Sequence, residues 1–293
     1  MIHPDKIDLH MHTTVSDGTD TPAEILEAVK KEGLEMFAVT DHDAVKGCLM
    51  IRELLQPGDP FFLVGTEFSC KDEEGKYHIL GYAYDPDSEP VQTVIKTGHR
   101  YRMKKLDARL AFLADEFGFR LPDEEVEALK ALDNPGKPHI GNLLTRYGYT
   151  ESKDIAITQY INKLRVRNEY VRPEEAIKGI LASGGIPVLA HPSYGSGDQI
   201  IVGEEMDERL KRLIGFGLQG VEAFYSGFTA KLQNEMLRFA EKYNLYVTAG
   251  SDYHGGNKLI PLGDTNLMPD TECPPGLHRF MEAVKIAPGH YAM

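Results

Sequence analysis

Along the chain, short apolar runs alternate with amphipathic stretches, and each apolar run breaks off into polar residues. Residues 21–33, TPAEILEAVKKEG, predict a helix. Thr21 caps it, Pro22 takes the first helical position, Glu24 completes a capping box and Gly33 stops it. Ile25, Leu26 and Val29 give that helix one apolar stripe. MFAVTDHD (36–43) and FFLVGTEFS (61–69) read as buried strands with polar exits, and KYHILGYAYD (76–85) as a third extended run. Beyond residue 172 the rhythm resumes. PEEAIKGILASGG precedes IPVLAHPS, MDERLKRLIGFG precedes GVEAFYS, and AKLQNEMLRFAEKYN precedes LYVTAGSDYH. Strand, loop, helix, strand predicts parallel α/β architecture, whose ligands sit beyond the carboxyl ends of the strands. Residues 91–172 offer no buried strand and predict a mainly helical insertion between 1–90 and 173–293. The far C-terminus, with CPPG and KIAPGHYAM, reads as loop and tail.

The polar exits carry the candidate chemistry. In IDLHMHTTVSDG, His10 and His12 are two apart, so on a strand they share a face. His42, His78, His191 and His254 also lie within or just after apolar runs, as do Asp41, Glu67 and Asp252. One such histidine is ordinarily a core or loop residue; six of the chain's eleven in this position point to a ligand set. Imidazole with carboxylate suits Zn, Mn or Fe at a catalytic site, whereas a structural zinc favours thiolate. Asp252 and His254 repeat the spacing of His10 and His12, while Asp17 lies beyond a turn and spacing alone assigns it to no ion. A set this large implies more than one ion, and a pair of ions about 3.5–4 Å apart can clamp a phosphate between them.

Charge and cysteine usage narrow the picture. A net charge of −13 argues against duplex DNA as a partner, because such binding needs many cations to displace counterions. Against that background, Lys96 to Arg109 holds six Lys or Arg and one acid, Asp107, which reads either as a wetted helix face or as a phosphate-binding patch. Cys48, Cys70 and Cys273 form neither a disulfide framework nor a CxxC pair, which favours a reduced, cytoplasmic setting. There is no apolar run of membrane-spanning length, and MIHPDKIDLH lacks the layout of a signal peptide.

DLHMHTTVSDG, VTDHD, GTEFS, HILGY, AHP (190–192) and GSDYHG (250–255) together resemble the ordered motifs of the PHP (polymerase and histidinol phosphatase) family of metal-dependent phosphoesterases. They span residues 8–256, and the interruption resembles the stand-alone phosphatases of that family that carry a helical insertion. The resemblance implies a distorted (β/α)7 barrel with two or three divalent ions at its mouth, Mn, Fe or Zn favoured and Mg admitted. It implies one ion on His10, His12, Glu67 and Asp252, a second sharing Glu67 with His78 and His191, and a third on Asp17, His42 and His254. Asp41 is then free to orient an imidazole, and Asp43 to cap or to form an ion pair.

On this basis the expected chemistry is phosphate-ester hydrolysis by a metal-bridged hydroxide, with Glu67 and Asp252 central to holding the ions. If His191 and His254 are ligands, neither serves as a general acid. Ser251 sits in no GxSxG elbow. Similar phosphatases contact phosphate through basic residues, here Arg100, Arg102, Lys137, His139 and Lys258. Lys137 stands where the family's GRPHIA-like segment has arginine, keeping the charge and losing the planar fork. The expected substrate is a small nucleotide or phosphosugar, of nucleoside bisphosphate or phosphoribose cyclic phosphate type. Two alternatives stand beside it. A 5'-to-3' exonuclease on short 5'-phosphorylated RNA would stack bases on Tyr101, Tyr147, Tyr149 or Tyr160. The other is a non-catalytic, metal-stabilised binding module.

Overall fold

Seven strands, β1 (Ile7–Asp8), β2 (Met36–Val39), β3 (Phe61–Lys71), β4 (Lys76–Tyr82), β5 (Ile186–Leu189), β6 (Gly220–Tyr225) and β7 (Tyr246–Gly250), pair in chain order in this computed structural model. It describes residues 2–165, 169–194, 199–269, 271–285 and 287–291. The pairs β1–β2, β2–β3, β5–β6 and β6–β7 are parallel, whereas β4 is antiparallel to both its neighbours. The sheet curls until its edges meet. Leu9 N donates to Ala249 O (2.9 Å), His12 N to Tyr253 O (2.8 Å) and Asp252 N to His10 O (2.8 Å). The result is the expected α/β fold, a distorted seven-stranded barrel, with β1, β2, β5 and β6 buried along their whole length. Burial on both faces is what helices outside and side chains inside a barrel impose.

Helices α1 (Pro22–Lys31), α2 (Lys46–Leu54), α7 (Pro173–Ala182), α8 (Gly203–Phe216), α9 (Ala230–Lys242) and α10 (Pro275–Val284) pack around this barrel. The α1 capping box forms as its sequence requires. Thr21 Oγ1 accepts from Glu24 N at 3.3 Å, and Glu24 Oε2 accepts from Thr21 N at 2.8 Å. Between β4 and α7 lie α3 (Glu89–Phe117), α4 (Asp123–Ala131), α5 (Lys137–Arg146) and the short α6 (Lys153–Ile155), followed by one π-helical turn. Helix α3 serves two apolar cores: Val91 and Val94 join the barrel cluster, and Leu106 and Leu113 join Leu129, Ile140 and Leu144 in a separate one. No helix among the described residues is long and apolar enough to cross a membrane.

One expectation is corrected. The C-terminal tail adds a strand, β8 (His290–Tyr291), antiparallel to β3 with Leu63 opposite His290. The β3–β4 register begins only at Gly65, so the first residues of β3 have a free edge, and the tail covers it.

The end of β7 decides how closely the mouth can pack. A Cβ on Gly250 would lie 2.3 Å from His10 Cβ and 2.4 Å from Glu222 Oε1. Gly250→Ala is therefore expected to cost about 1–3 kcal/mol by overpacking, read as a fall in thermal midpoint. Gly33→Ala, at a turn with open space around its missing Cβ, serves as the comparison and should cost less, through its positive φ alone.

Candidate metal centre

The barrel mouth gathers eight side chains around one buried carboxylate, Glu67. Beyond β1, the fully buried His10 and His12 point their Nε2 atoms at Glu67 Oε2 (3.3 and 3.2 Å) and at Asp252 Oδ1 (3.6 and 3.4 Å). Glu67 comes from mid-β3, and its other oxygen lies 2.6 Å from His78 Nδ1 and 3.0 Å from His191 Nε2. Because β4 runs backwards, His78 reaches the mouth from near the start of its strand rather than the end. On the far side Asp17 Oδ1 lies 3.3 Å from His254 Nε2 and 3.8 Å from His42 Nε2, while His42 Nδ1 turns to Glu67 Oε2 at 3.1 Å. Groups with donor atoms within 4.8 Å of one another include His10, His12, Glu67 and Asp252; His12, Asp17, His42 and His254; and His42, Glu67 and His78. Glu67, His78 and His191 also meet, with His78 Nδ1 3.2 Å from His191 Nε2. Compared with the expected sets, His12 also borders the Asp17 group, and His42 also borders Glu67 and His78.

This donor set fits divalent metal ions. His10 Nε2, His12 Nε2, Asp17 Oδ1 and His42 Nδ1 are buried with no hydrogen-bond partner, a condition that folded proteins avoid. Burial alone would raise the carboxyls, yet His78, His42 and His10 hold Glu67 well below the usual carboxylate range. Lys258 and His10 do the same for Asp252 against burial, as do His42 and His254 for Asp17. Burial pushes His42 down, against the pull of Glu67 and Asp17.

A second layer fixes these orientations. Glu222, fully buried in β6, sits with Oε1 2.9 Å from His10 Nδ1 and accepts His191 N on Oε2 at 2.7 Å. A proton held on His10 Nδ1 leaves the Nε2 lone pair facing the site, available to a metal ion. Sequence reasoning missed Glu222, although a carboxylate inside the apolar run GVEAFY is a readable signal. Asp41 bonds no imidazole directly. It accepts Thr13 N (2.8 Å) and Ser16 Oγ (2.6 Å), and Ser16 Oγ lies 3.3 Å from His12 Nδ1. Tyr225 OH (3.0 Å) and Lys258 Nζ (2.6 Å) both donate to Asp252 Oδ2. Asp43, His191 and Asp252 all adopt positive φ (48°, 28° and 59°), conformations that cost roughly 1–3 kcal/mol each and cluster at functional sites.

The anticipated phosphate contacts divide. Arg102 lies beside the mouth, donating to Asp43 Oδ2 (2.7 Å) and Ser69 Oγ (2.9 Å), with its buried Nε unpartnered. Arg100, two residues along α3 and so on another face, is exposed, its guanidinium 5.2 Å from the Tyr101 ring centre. His139 belongs to the first turn of α5, whose cap Gly136 would place a Cβ 3.6 Å from Asp17 Cβ. Lys137 donates to Asn162 Oδ1 (2.6 Å), and Lys258 is committed to Asp252.

Lys105 and Arg109 were not singled out, yet they share the Arg102 face of α3 at helical spacing. Lys105 is 9% exposed, with Nζ 3.2 Å from the Tyr170 ring centre. Burial, with Arg102 nearby, lowers Lys105 to about 7, and the same two causes lower Arg109 to about 10. Burial and Arg109 bring Lys137 to about 8. Among the described residues none of these three forms an ion pair.

The chain also resembles known proteins over most of its length. Residues 8–215 match the PHP domain. The chain is 31% identical over 265 residues to a phosphoribosyl 1,2-cyclic phosphate 1,2-diphosphodiesterase from Eggerthella lenta, covering 87% of this chain and 96% of that protein. It is 28% identical to a 3',5'-nucleoside bisphosphate phosphatase from Chromobacterium violaceum (90% and 92% covered). It is 25% identical to a 5'-3' exoribonuclease from Haemophilus influenzae (92% and 97%). A solved structure of a proposed metal-dependent phosphoesterase from Bifidobacterium adolescentis superposes with a TM-score of 0.77 at 28% identity, covering 88% of this chain and 91% of that one. With its nine converging donors and this match over most of its length, the chain belongs to the PHP-domain family of metal-dependent phosphoesterases, hydrolases that act on ester bonds.

Proposed function

We propose that the protein hydrolyses a compact phosphate ester that carries a second phosphate, a nucleoside bisphosphate or a phosphoribose cyclic phosphate. The observation that carries this reading is the row Arg102, Lys105 and Arg109 on one face of α3, with Lys137 facing it from α5. Lys105, Arg109 and Lys137 are cations at least partly withdrawn from water, without a carboxylate partner among the described residues. Burying unpaired cations is costly, and a phosphate dianion would satisfy several of them at once.

In this reading two or three divalent ions occupy the mouth, held by His10, His12, Asp17, His42, Glu67, His78, His191, Asp252 and His254. When bound, such ions supply an acidified water and positive charge for the phosphate oxygens. Glu67, with two imidazoles on Oε1 and three on Oε2, joins the ligand groups. Asp252 offers Oδ1 to the site while Tyr225 and Lys258 pin Oδ2. Arg102 is oriented by Asp43 and Ser69 with Nε left to donate, and His139 borders the Asp17 side. The similarity to the Eggerthella and Chromobacterium enzymes supports the substrate class. The Haemophilus exoribonuclease supports a second reading, 5'-to-3' cleavage of short RNA. Against that reading, Tyr149 and Tyr160 pack on Phe119 with ring centres 4.8 and 5.1 Å away, so neither forms a free stacking platform.

The deciding experiment is phosphate release by Mn-loaded protein from nucleoside 3',5'-bisphosphates, AMP, phosphoribose cyclic phosphate, histidinol phosphate and a 5'-phosphorylated trinucleotide. Strong preference for a doubly phosphorylated small molecule is expected; preference for the trinucleotide would replace this reading with the exonuclease. Lys105→Met should raise KM for the bisphosphate roughly 10-fold or more, the loss of one charged contact, and leave AMP hydrolysis nearly unchanged. A phosphate beside Lys105 would raise its lowered pKa, so binding near neutral pH takes up a fraction of a proton. Calorimetry in two buffers of different ionisation enthalpy reads this uptake, and Lys105→Met should abolish that share. Glu222→Ala should weaken metal retention against a chelator by about 10–100-fold, with Glu222→Gln affected less.

A further inference from the structure

Asp41 is a buried acid that the proposed ligand set does not use. It is 1% exposed, and among the described residues it forms no ion pair. Its oxygens accept hydrogen bonds instead. Oδ1 takes Thr13 N (2.8 Å) and Ser16 Oγ (2.6 Å), and Oδ2 takes Thr13 Oγ1 (2.8 Å). The backbone around it is shaped to admit a carboxylate: a Cβ on Gly47, in the first turn of α2, would sit 2.2 Å from Asp41 Oδ2. Burial raises this carboxyl above its ordinary value, against the pull of His12 and of the Ser16 and Thr13 donors. An acid buried without a cation beside it is costly, and the group it reaches is a proposed ligand. His12, fully buried, has Nδ1 3.3 Å from Ser16 Oγ.

Proton counting fixes the direction of this chain of contacts. A hydroxyl has one proton to give, and a carboxylate only accepts. Ser16 gives its proton to Asp41 Oδ1, at the short distance of a hydroxyl on a carboxylate. It can therefore meet His12 only as an acceptor, so His12 Nδ1 carries a proton. The lone pair of a neutral His12 is then on Nε2. That atom faces Glu67 Oε2 at 3.2 Å and Asp252 Oδ1 at 3.4 Å, and it has no hydrogen-bond partner. The other side of the ring matters as much. His12 Nδ1 lies 3.8 Å from Asp17 Oδ1, which is how one imidazole borders both the Glu67 and the Asp17 groups. A nitrogen that keeps its proton for Ser16 has no lone pair to offer an ion on the Asp17 side.

We propose that Ser16, backed by Asp41, is a positioning residue that commits His12 to the Glu67 and Asp252 group through Nε2 and withholds it from the Asp17 group. The proposal rests on the ligand assignment above and decides which of two overlapping groups owns the shared imidazole. Asp41 acts through the Ser16 hydroxyl, whereas Glu222 reaches His10 directly. Both histidines of the first motif then present Nε2 to the same carboxylates, each with Nδ1 held from behind.

The test loads the intact chain, labelled with nitrogen-15 in its histidine rings, with cadmium-113, whose magnetic coupling identifies each ligating nitrogen. Wild-type protein is expected to couple cadmium to His12 through Nε2 alone, with the Nδ1 proton slow to exchange. In Ser16→Ala, a chelator should remove the ion coupled to His10 and His12 about 10–100-fold more readily. The ion coupled to His254 should be held as before, which reports an intact fold. Asp41→Asn keeps an acceptor for Ser16 and removes the charge, so its retention should fall between wild type and Ser16→Ala. Cadmium coupled to His12 Nδ1 in the wild type, or unchanged retention in Ser16→Ala, would overturn the proposal and leave the ligand assignment standing. Cadmium coupled to neither nitrogen of His12 would overturn both.

Discussion

Glu67 is the group on which the mouth depends. One buried carboxylate has five imidazole nitrogens within 3.3 Å, from His10, His12, His42, His78 and His191. Removing a charge from water carries a large penalty unless opposite charge is brought close, and here strands, a loop and a reversed hairpin all deliver donors to the same two oxygens. The barrel must close between β1 and β7 for this to happen, because His10 and His12 lie on one side of that seam and Asp252 and His254 on the other. Gly250 keeps the seam tight. Glu222 ties the β6 side to both His10 and the His191 backbone. Fold and site are thus specified by overlapping residues.

Much of this was legible before any coordinates. Buried parallel strands are short apolar runs, and their polar exits are where an α/β barrel places chemistry, so eight of the nine converging donors stand out at or beyond such runs; Asp17 came only from the family resemblance. His78 shows the limit of that logic, because the rule of strand exits assumes a direction that the antiparallel β4 reverses. The pairing of the tail with β3 was invisible for a related reason. It depends on a gap left by another strand's register, which no local pattern records.

The basic insertion was legible in composition but not in its helical phase. Arg100 and Arg102 were chosen as guanidinium forks, but 100 and 102 lie on different faces of a helix. The face that turns inward carries 102, 105 and 109, the periodicity that ordinarily marks a core stripe. Charged residues on an inward stripe are themselves a signal, and Glu222 within β6 is another of the same kind. Both contradict the expected burial of apolar groups; Glu222 touches His10 at the mouth, and the α3 stripe begins beside the mouth at Arg102.

Helix α3 has a mechanical consequence. It runs unbroken for 29 residues, and its two ends are anchored in different apolar clusters. Arg102 to Arg109 therefore spans about 10 Å of a stiff rod at 1.5 Å per residue, fixed at both ends. Under the two-phosphate proposal such a rod would work as a ruler. The distance between the charged ends of a guest would be compared with a fixed scale, and guests too short or too long would forfeit one of the two contacts without any clash.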